Sequence, residues 1–152
     1  MVFSKKKFNN PHMKIKIERI NDDSHMRAEN ETGNTLEMDG SPDAEGNYAG
    51  FRPMQMLLAA AGGCSAIDVI SILKKQKQDL ETLKVEVDGN RVQKSTYSEF
   101  DKINLHFILS GNLEESKVEK AISLSVNKYC SVSKALQPQA EITYSYEVKT
   151  FG

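Results

Sequence analysis

Residues 52–75, RPMQMLLAAAGGCSAIDVISILKK, decide how the rest of this chain folds. Pro53 suits a first helical turn, where its missing N–H has no intrahelical partner to lose. From Met54 to Leu73 the polar side chains are Gln55, Cys64, Ser65, Asp68 and Ser71 alone. A segment apolar nearly all round predicts a buried central helix rather than a surface one. It is also long enough to raise the question of a membrane span. Gly62-Gly63 and Asp68 argue against one, since a mid-bilayer Asp costs roughly 2.5–3.5 kcal/mol on insertion scales.

On the N-terminal side, residues 1–12 (MVFSKKKFNNPH) show no periodicity and are set apart as a leader or tag-like tail. One domain is expected over 13–152. Ile15 and Ile17 alternate with Lys14, Lys16 and Glu18, a half-buried strand over residues 13–20. The cluster Asn21-Asp22-Asp23-Ser24 turns the chain into a returning strand over 25–30, and Thr32-Gly33-Asn34 turns it again into 35–38. A loop follows over 39–50, DGSPDAEGNYAG.

On the C-terminal side the polar residues 76–82 end the helix. Leu83, Val85 and Val87 alternate with polar residues as one strand. Ile103, Leu105, Phe107 and Leu109 form its partner after a loop at 94–101. A second helix carries Glu114 and Glu115 in its first turn, at the positive end of its dipole. Val118, Ala121, Ile122, Ser125, Val126, Tyr129 and Cys130 make its inward stripe. A further helical turn over 131–136 stops before Pro138, and Ile142, Tyr144, Tyr146 and Val148 mark a last strand. Three strands, a helix, two strands, a helix and a strand make an α+β fold with mainly antiparallel sheet. The apolar helix needs more cover than these elements supply, which predicts a homodimer burying it at or near the interface.

The totals narrow the function. The 152 residues carry a net charge of −1, with 27% charged and 39% hydrophobic side chains. That balance calls for neither nucleic acid nor an anionic membrane surface. Residues 1–12 lack the apolar core of a secretory signal, and two cysteines without one imply a reducing compartment, the cytoplasm. His12, His25 and His106 have no ligand-like spacing, and no phosphate-binding or dinucleotide-binding glycine motif is present, so no metal or cofactor is expected. Tyr129 reads as core packing.

Cys64 and Cys130 remain. As residue types they suit buried small hydrophobes. Against that reading, Asp68 and Ser71 continue a polar line from Cys64 along one helix face, which suggests a cavity or a partner beside it. If Gly62-Gly63 break the helix, Cys64 opens a new segment whose dipole lowers the thiol pKa; if the helix runs through, another donor is needed.

The stretches PMQMLLAAAGGCSAIDVISILKK, INLHFILSG, VEKAISLSVNKYCSVSKAL and EITYSYEV together resemble the OsmC/Ohr family of osmotically inducible and organic hydroperoxide resistance proteins, in its YhfA-like branch. The resemblance covers residues 13–148. It implies an intertwined homodimer, with antiparallel sheets wrapped around central helices and active sites at the interface. It also implies that Cys64 is a peroxidatic nucleophile, that Cys130 condenses with its sulfenic acid to a disulfide, and that a lipoyl-type dithiol reopens it. Peroxidase members place a Glu directly after the helix Pro to hold the activating Arg, where this chain has Met54; Gln55 next to it could hydrogen-bond an Arg but adds no charge. The activating Arg of the family aligns to Arg27, with Arg52 as the alternative. The expected function is therefore reduction of organic hydroperoxides. The alternatives are a small-ligand-binding or redox-sensing protein without peroxidase activity, and a different thiol chemistry on the same scaffold.

Overall fold

The computed structural model describes residues 12–149, so the leader set apart above lies, His12 excepted, outside the described residues. The chain divides into two compact units, the first ending at Gln55 and the second beginning at Met56.

The first unit holds an antiparallel meander of β1 (Lys16–Arg19), β2 (Met26–Glu29) and β3 (Thr35–Met38), as the turn signals predict. Asn21 Oδ1 accepts the N–H groups of Asp23 and His25 at the first turn, and Asn30 Oδ1 accepts those of Thr32 and Asn34 at the second. The register sets Ile17 opposite Ala28 and Ala28 opposite Leu36, collecting the apolar side chains on one face. Ile17 and Leu36 are nevertheless exposed in the single chain, so β1 is not the half-buried strand expected. Alternation identifies a face that needs cover without saying where the cover comes from.

Residues 39–50 are a loop with a 3₁₀ turn at Pro42–Ala44, organised around one carboxylate. Asp39 is buried; its Oδ1 accepts the Ser24 hydroxyl and the Gly40 N–H, and its Oδ2 accepts the N–H groups of Asn47 and Ala49. Burial raises the Asp39 pKa, but these donors outweigh it and hold the carboxyl below its ordinary value. A folded pKa below the unfolded one gives stability that is present above the unfolded value and lost as pH falls through the folded one. Asp39→Asn is therefore expected to lower the melting temperature by about 5 °C or more at neutral pH. The gap to wild type should narrow in acid. A melting curve unchanged at neutral pH would contradict this role.

The second unit is built on α1 (Pro53–Lys75), β4 (Asp79–Gln93), β5 (Ser98–Asn112), α2 (Glu115–Leu124), α3 (Ser131–Leu136) and β6 (Glu141–Lys149). The sheet order is β4-β5-β6. β4 and β5 form a long antiparallel hairpin that takes in part of the expected loop at 94–101. The pairings β1–β2, β2–β3 and β4–β5 are antiparallel, as the mainly antiparallel expectation has it, and β6 alone lies parallel to its neighbour, β5. The α2–α3 connection is the reason, because this helical crossover carries the chain back to the end of the sheet where β5 began, setting Glu141 opposite Lys102.

Leu105, Phe107 and Leu109 of β5 pack with Ala61, Val69 and Leu73 of α1 and with Val118, Ala121 and Ile122 of α2. α1 runs unbroken through Gly62-Gly63. A Cβ at Gly62 would come within 2.8 Å of Val87 Cγ2, so the glycine lets the helix settle onto the sheet. Only the stripe Ala61, Gly62, Ser65, Val69 and Leu73 is buried, while Ile67 and Ile70 point outward. The all-round burial expected of α1 is not achieved within one chain. By length and composition α1 is also, among the described residues, the one helix able to cross a membrane.

Candidate functional site

Two elements far apart in sequence bring the cysteines together. Cys64 sits in the middle of α1, partly exposed, so no helix start lies beneath it to favour its thiolate. Cys130 was expected on the inward stripe of the second helix and is instead outside it. After Leu124 the chain makes a π-helical turn over Ser125–Tyr129, closed by the Cys130 N–H on the Ser125 carbonyl at 2.8 Å. Cys130 then takes an extended conformation, φ −70° and ψ 106°, and caps α3 by accepting the Ser133 N–H on Sγ at 3.3 Å. An inserted π turn of this kind is frequent at functional sites. Tyr129, expected in the core, is exposed as a result, with the Lys128 ammonium over its ring at 5.3 Å.

Both sulfurs are free thiols, and they lie near enough for each to shift the other's ionisation. Burial pushes the Cys64 thiol above its ordinary pKa. The Val132 N–H on its sulfur opposes that shift, and the Cys130 sulfur and the Asp68 carboxylate add to it. Burial acts the same way on Cys130, but the Ser133 side chain and N–H, with Ser65 and Cys64 nearby, outweigh it and leave its thiol below the ordinary value. The sequence did not single out Ser65 or Ser133. Both are fully buried and their hydroxyls have no hydrogen-bond partner among the described residues, a position that costs about 1–3 kcal/mol each.

The expected polar line from Cys64 is partly realised. Asp68 accepts the buried Ser125 hydroxyl on Oδ2 at 3.2 Å. With Ser71 it lines a cleft of about 460 Å³, alongside Lys75, Lys120, Leu124 and Tyr129; Cys64 stands outside it.

The remaining candidates lie in the first unit. Arg27 on β2 faces Glu37 directly across on β3, its Nη2 3.0 Å from Oε1, and His25 Nε2 lies 2.9 Å from the other oxygen. The Arg27 guanidinium, with His25, holds the Glu37 carboxyl below its usual range. Glu37 is thus a carboxylate that fixes Arg27, a partner the sequence reading sought beside Pro53 and did not find. Arg52 stacks over the Tyr48 ring at 5.1 Å. Gln55, considered as an Arg-holding side chain, instead accepts the Arg52 backbone N–H at 3.1 Å. That is half of a capping box at the start of α1. His106 pairs with Ser145 on β6, and no metal-binding cluster occurs among the described residues.

Comparison with known proteins places this geometry among relatives. The family model described as "OsmC-like protein" matches residues 42–145. Protein YhfA of Escherichia coli K12 is 45% identical over 121 residues, covering 79% of this chain and 87% of that one. A hypothetical protein from Aquifex aeolicus VF5 superposes with a TM-score of 0.79 at 28% identity, over 93% of this chain and 98% of its own. An organic hydroperoxide resistance protein OsmC from Legionella pneumophila shares the fold, with a TM-score of 0.69 at 16% identity, over 90% of this chain and 97% of its own.

Proposed function

The chain belongs to the OsmC-like protein family, in the branch of YhfA, and on that premise we propose that it is a thiol peroxidase reducing organic hydroperoxides. The observation that carries this reading is the contact between a partly exposed Cys64 and a buried Cys130 contributed by a distant segment. A lone structural cysteine needs no second sulfur close by. A redox pair does, because the sulfenic acid formed on the accessible sulfur has to be closed into a disulfide. The name of the Legionella relative points the same way.

In this reading Cys64 attacks the hydroperoxide, the O–O bond breaks, and an alcohol leaves. Cys130 then attacks the oxidised sulfur and expels water, and a lipoyl-type dithiol restores both thiols. The resemblance would give the activating guanidinium's role to Arg27, which Glu37 holds, with Arg52 as the other candidate. A homodimer supplies the cover that α1 lacks.

Cys64→Ser is expected to lower lipoamide-coupled turnover of an organic hydroperoxide by at least about 10³-fold. Cys130→Ser should leave a single oxidation that stops at a trappable sulfenic acid. A wild-type protein that consumes no hydroperoxide, with Cys64 resistant to sulfenic-acid trapping, would refute the proposal. The cleft beside Asp68 and Ser71 favours a second reading, a small-molecule-binding protein without turnover, and the same assay separates the two.

A further inference from the structure

One buried serine joins the segments that carry the two cysteines. Ser125 opens the π turn, and its carbonyl accepts the Cys130 N–H at 2.8 Å. Its own N–H goes back to the Ala121 and Ile122 carbonyls. A serine hydroxyl within a helix ordinarily bonds to a carbonyl three or four residues earlier in that helix. This one crosses to α1 instead, 3.3 Å from the Ser65 carbonyl and 3.2 Å from Asp68 Oδ2, and donates to both. Ser65 directly follows Cys64, and Asp68 stands one turn beyond Cys64 on the same helix. A single residue thus links the backbone beside Cys64 to the backbone of Cys130, by its hydroxyl on one side and its carbonyl on the other. Ser125 is fully buried, so solvent water does not compete for these bonds.

We propose that Ser125 is a positioning residue for disulfide closure, the strut that sets Cys130 in register with Cys64. The inference rests on the peroxidase reading and concerns its second step alone. Once the hydroperoxide has oxidised Cys64 to the sulfenic acid, the Cys130 sulfur attacks the Cys64 sulfur. S–S forms, S–O breaks, and hydroxide leaves with that electron pair and takes up the Cys130 proton as water. The electrons pass between the two sulfurs, so the step needs no further oxidant or reductant. It needs aim, since a misplacement of about 1 Å can cost about 10²-fold in rate. Cys130 lies in extended backbone between the π turn and α3, so its place relative to Cys64 depends on what anchors that turn. The Ser125 hydroxyl anchors it to the helix that carries Cys64. The same contact gives Asp68, a carboxylate on an otherwise apolar helix, its use as the acceptor of a buried donor.

A single turnover of the full chain with tert-butyl hydroperoxide and no reductant separates the two steps. Hydroperoxide consumed reads the first, and trapped sulfenic acid against disulfide reads the second. Ser125→Ala should consume the first equivalent as fast as wild type and close the disulfide at least about 10-fold more slowly. Sulfenic acid should then accumulate, and excess hydroperoxide should carry it to the sulfinic acid. Ser125→Thr, which keeps the hydroxyl, should restore closure. A second arm needs no hydroperoxide. Equilibrated with oxidised and reduced dithiothreitol, the Cys64–Cys130 disulfide of Ser125→Ala should be at least about 10-fold easier to reduce than that of wild type. A folded Ser125→Ala protein with wild-type closure, or with a wild-type equilibrium, overturns the proposal and leaves the peroxidase reading intact. Should Ser125→Ala fail to fold, Asp68→Ala, made at a partly exposed site, takes its place: it should move both readouts the same way, and neither moving overturns the proposal. A wild-type chain that consumes no hydroperoxide refutes the peroxidase reading instead, and the dithiothreitol equilibrium still decides whether Ser125 holds the sulfurs in register.

Discussion

Phe107→Ala is expected to lower the free energy of unfolding by about 3–5 kcal/mol, the cost of emptying a large aromatic site in a core that collapses only in part. Phe107 heads the fully buried side chains by volume. It lies on the middle strand β5, opposite Val85 of β4 and Tyr146 of β6, in the cluster that also receives Val69 and Leu73 of α1 and Ile122 of α2. Removing its ring therefore unsettles sheet and helices together. Against a total of about 5–15 kcal/mol for a domain, the loss is a large fraction of what keeps the chain folded. Urea unfolding should show an earlier midpoint with an unchanged slope. A shift worth under about 1 kcal/mol would mean that the second unit repacks freely around β5. The variant should also lose peroxide turnover, since α1 holds Cys64 only where Ala61, Val69 and Leu73 are seated on this core.

The strands of that core were legible because alternation is a direct record of a pleated, one-sided surface: Val85 and Val87, Ile103 to Leu109, Ile142 to Val148 all lie where the period of two places them. Strand direction was not, because the same alternation serves a parallel or an antiparallel neighbour. Only the helical crossover between β5 and β6 distinguishes them. The site was legible in its sulfurs and not in their settings. Cys130 continued the helical spacing of Val118, Ile122 and Val126, and no Gly or Pro announced the π turn that throws it out of the helix. Ser65 looked like an incidental polar residue, since its burial depends on a segment 60 residues away, whose Ser125 hydroxyl donates to the Ser65 carbonyl. Gln55 misled for a related reason: at the third helical position a Gln serves the backbone as readily as it serves a guanidinium.

On the proposal that a second copy covers α1 and that the chain reduces hydroperoxides, Ile67→Asp combined with Ile70→Asp is expected to turn the dimer into a monomer and to abolish turnover with it. The motive is the outer face of α1. Ile67 is 70% exposed and Ile70 47%, on a helix whose opposite stripe is fully buried. Gly63 lies among the exposed positions, and a Cβ added there would meet nothing within 4 Å, whereas its neighbour Gly62 is pressed against Val87. Gly62 is explained by the chain's own packing. Gly63 is not, and the close approach of a second helix is the use such a position has. Burying a wholly exposed isoleucine contributes about 1.5–3 kcal/mol, and a twofold interface counts each one twice, so covering what these two positions leave exposed supplies about 3.5–7 kcal/mol. Micromolar association requires about 8 kcal/mol. Aspartates at the same places would face each other across the twofold with no water to solvate them. The dimer should weaken by more than about 10³-fold, which light scattering on eluting protein resolves. A wild-type chain that stays monomeric at high concentration would remove the second copy as the cover of α1. The remaining apolar cover would then be a bilayer, and the wild-type chain would have to partition into lipid vesicles where the double aspartate variant does not.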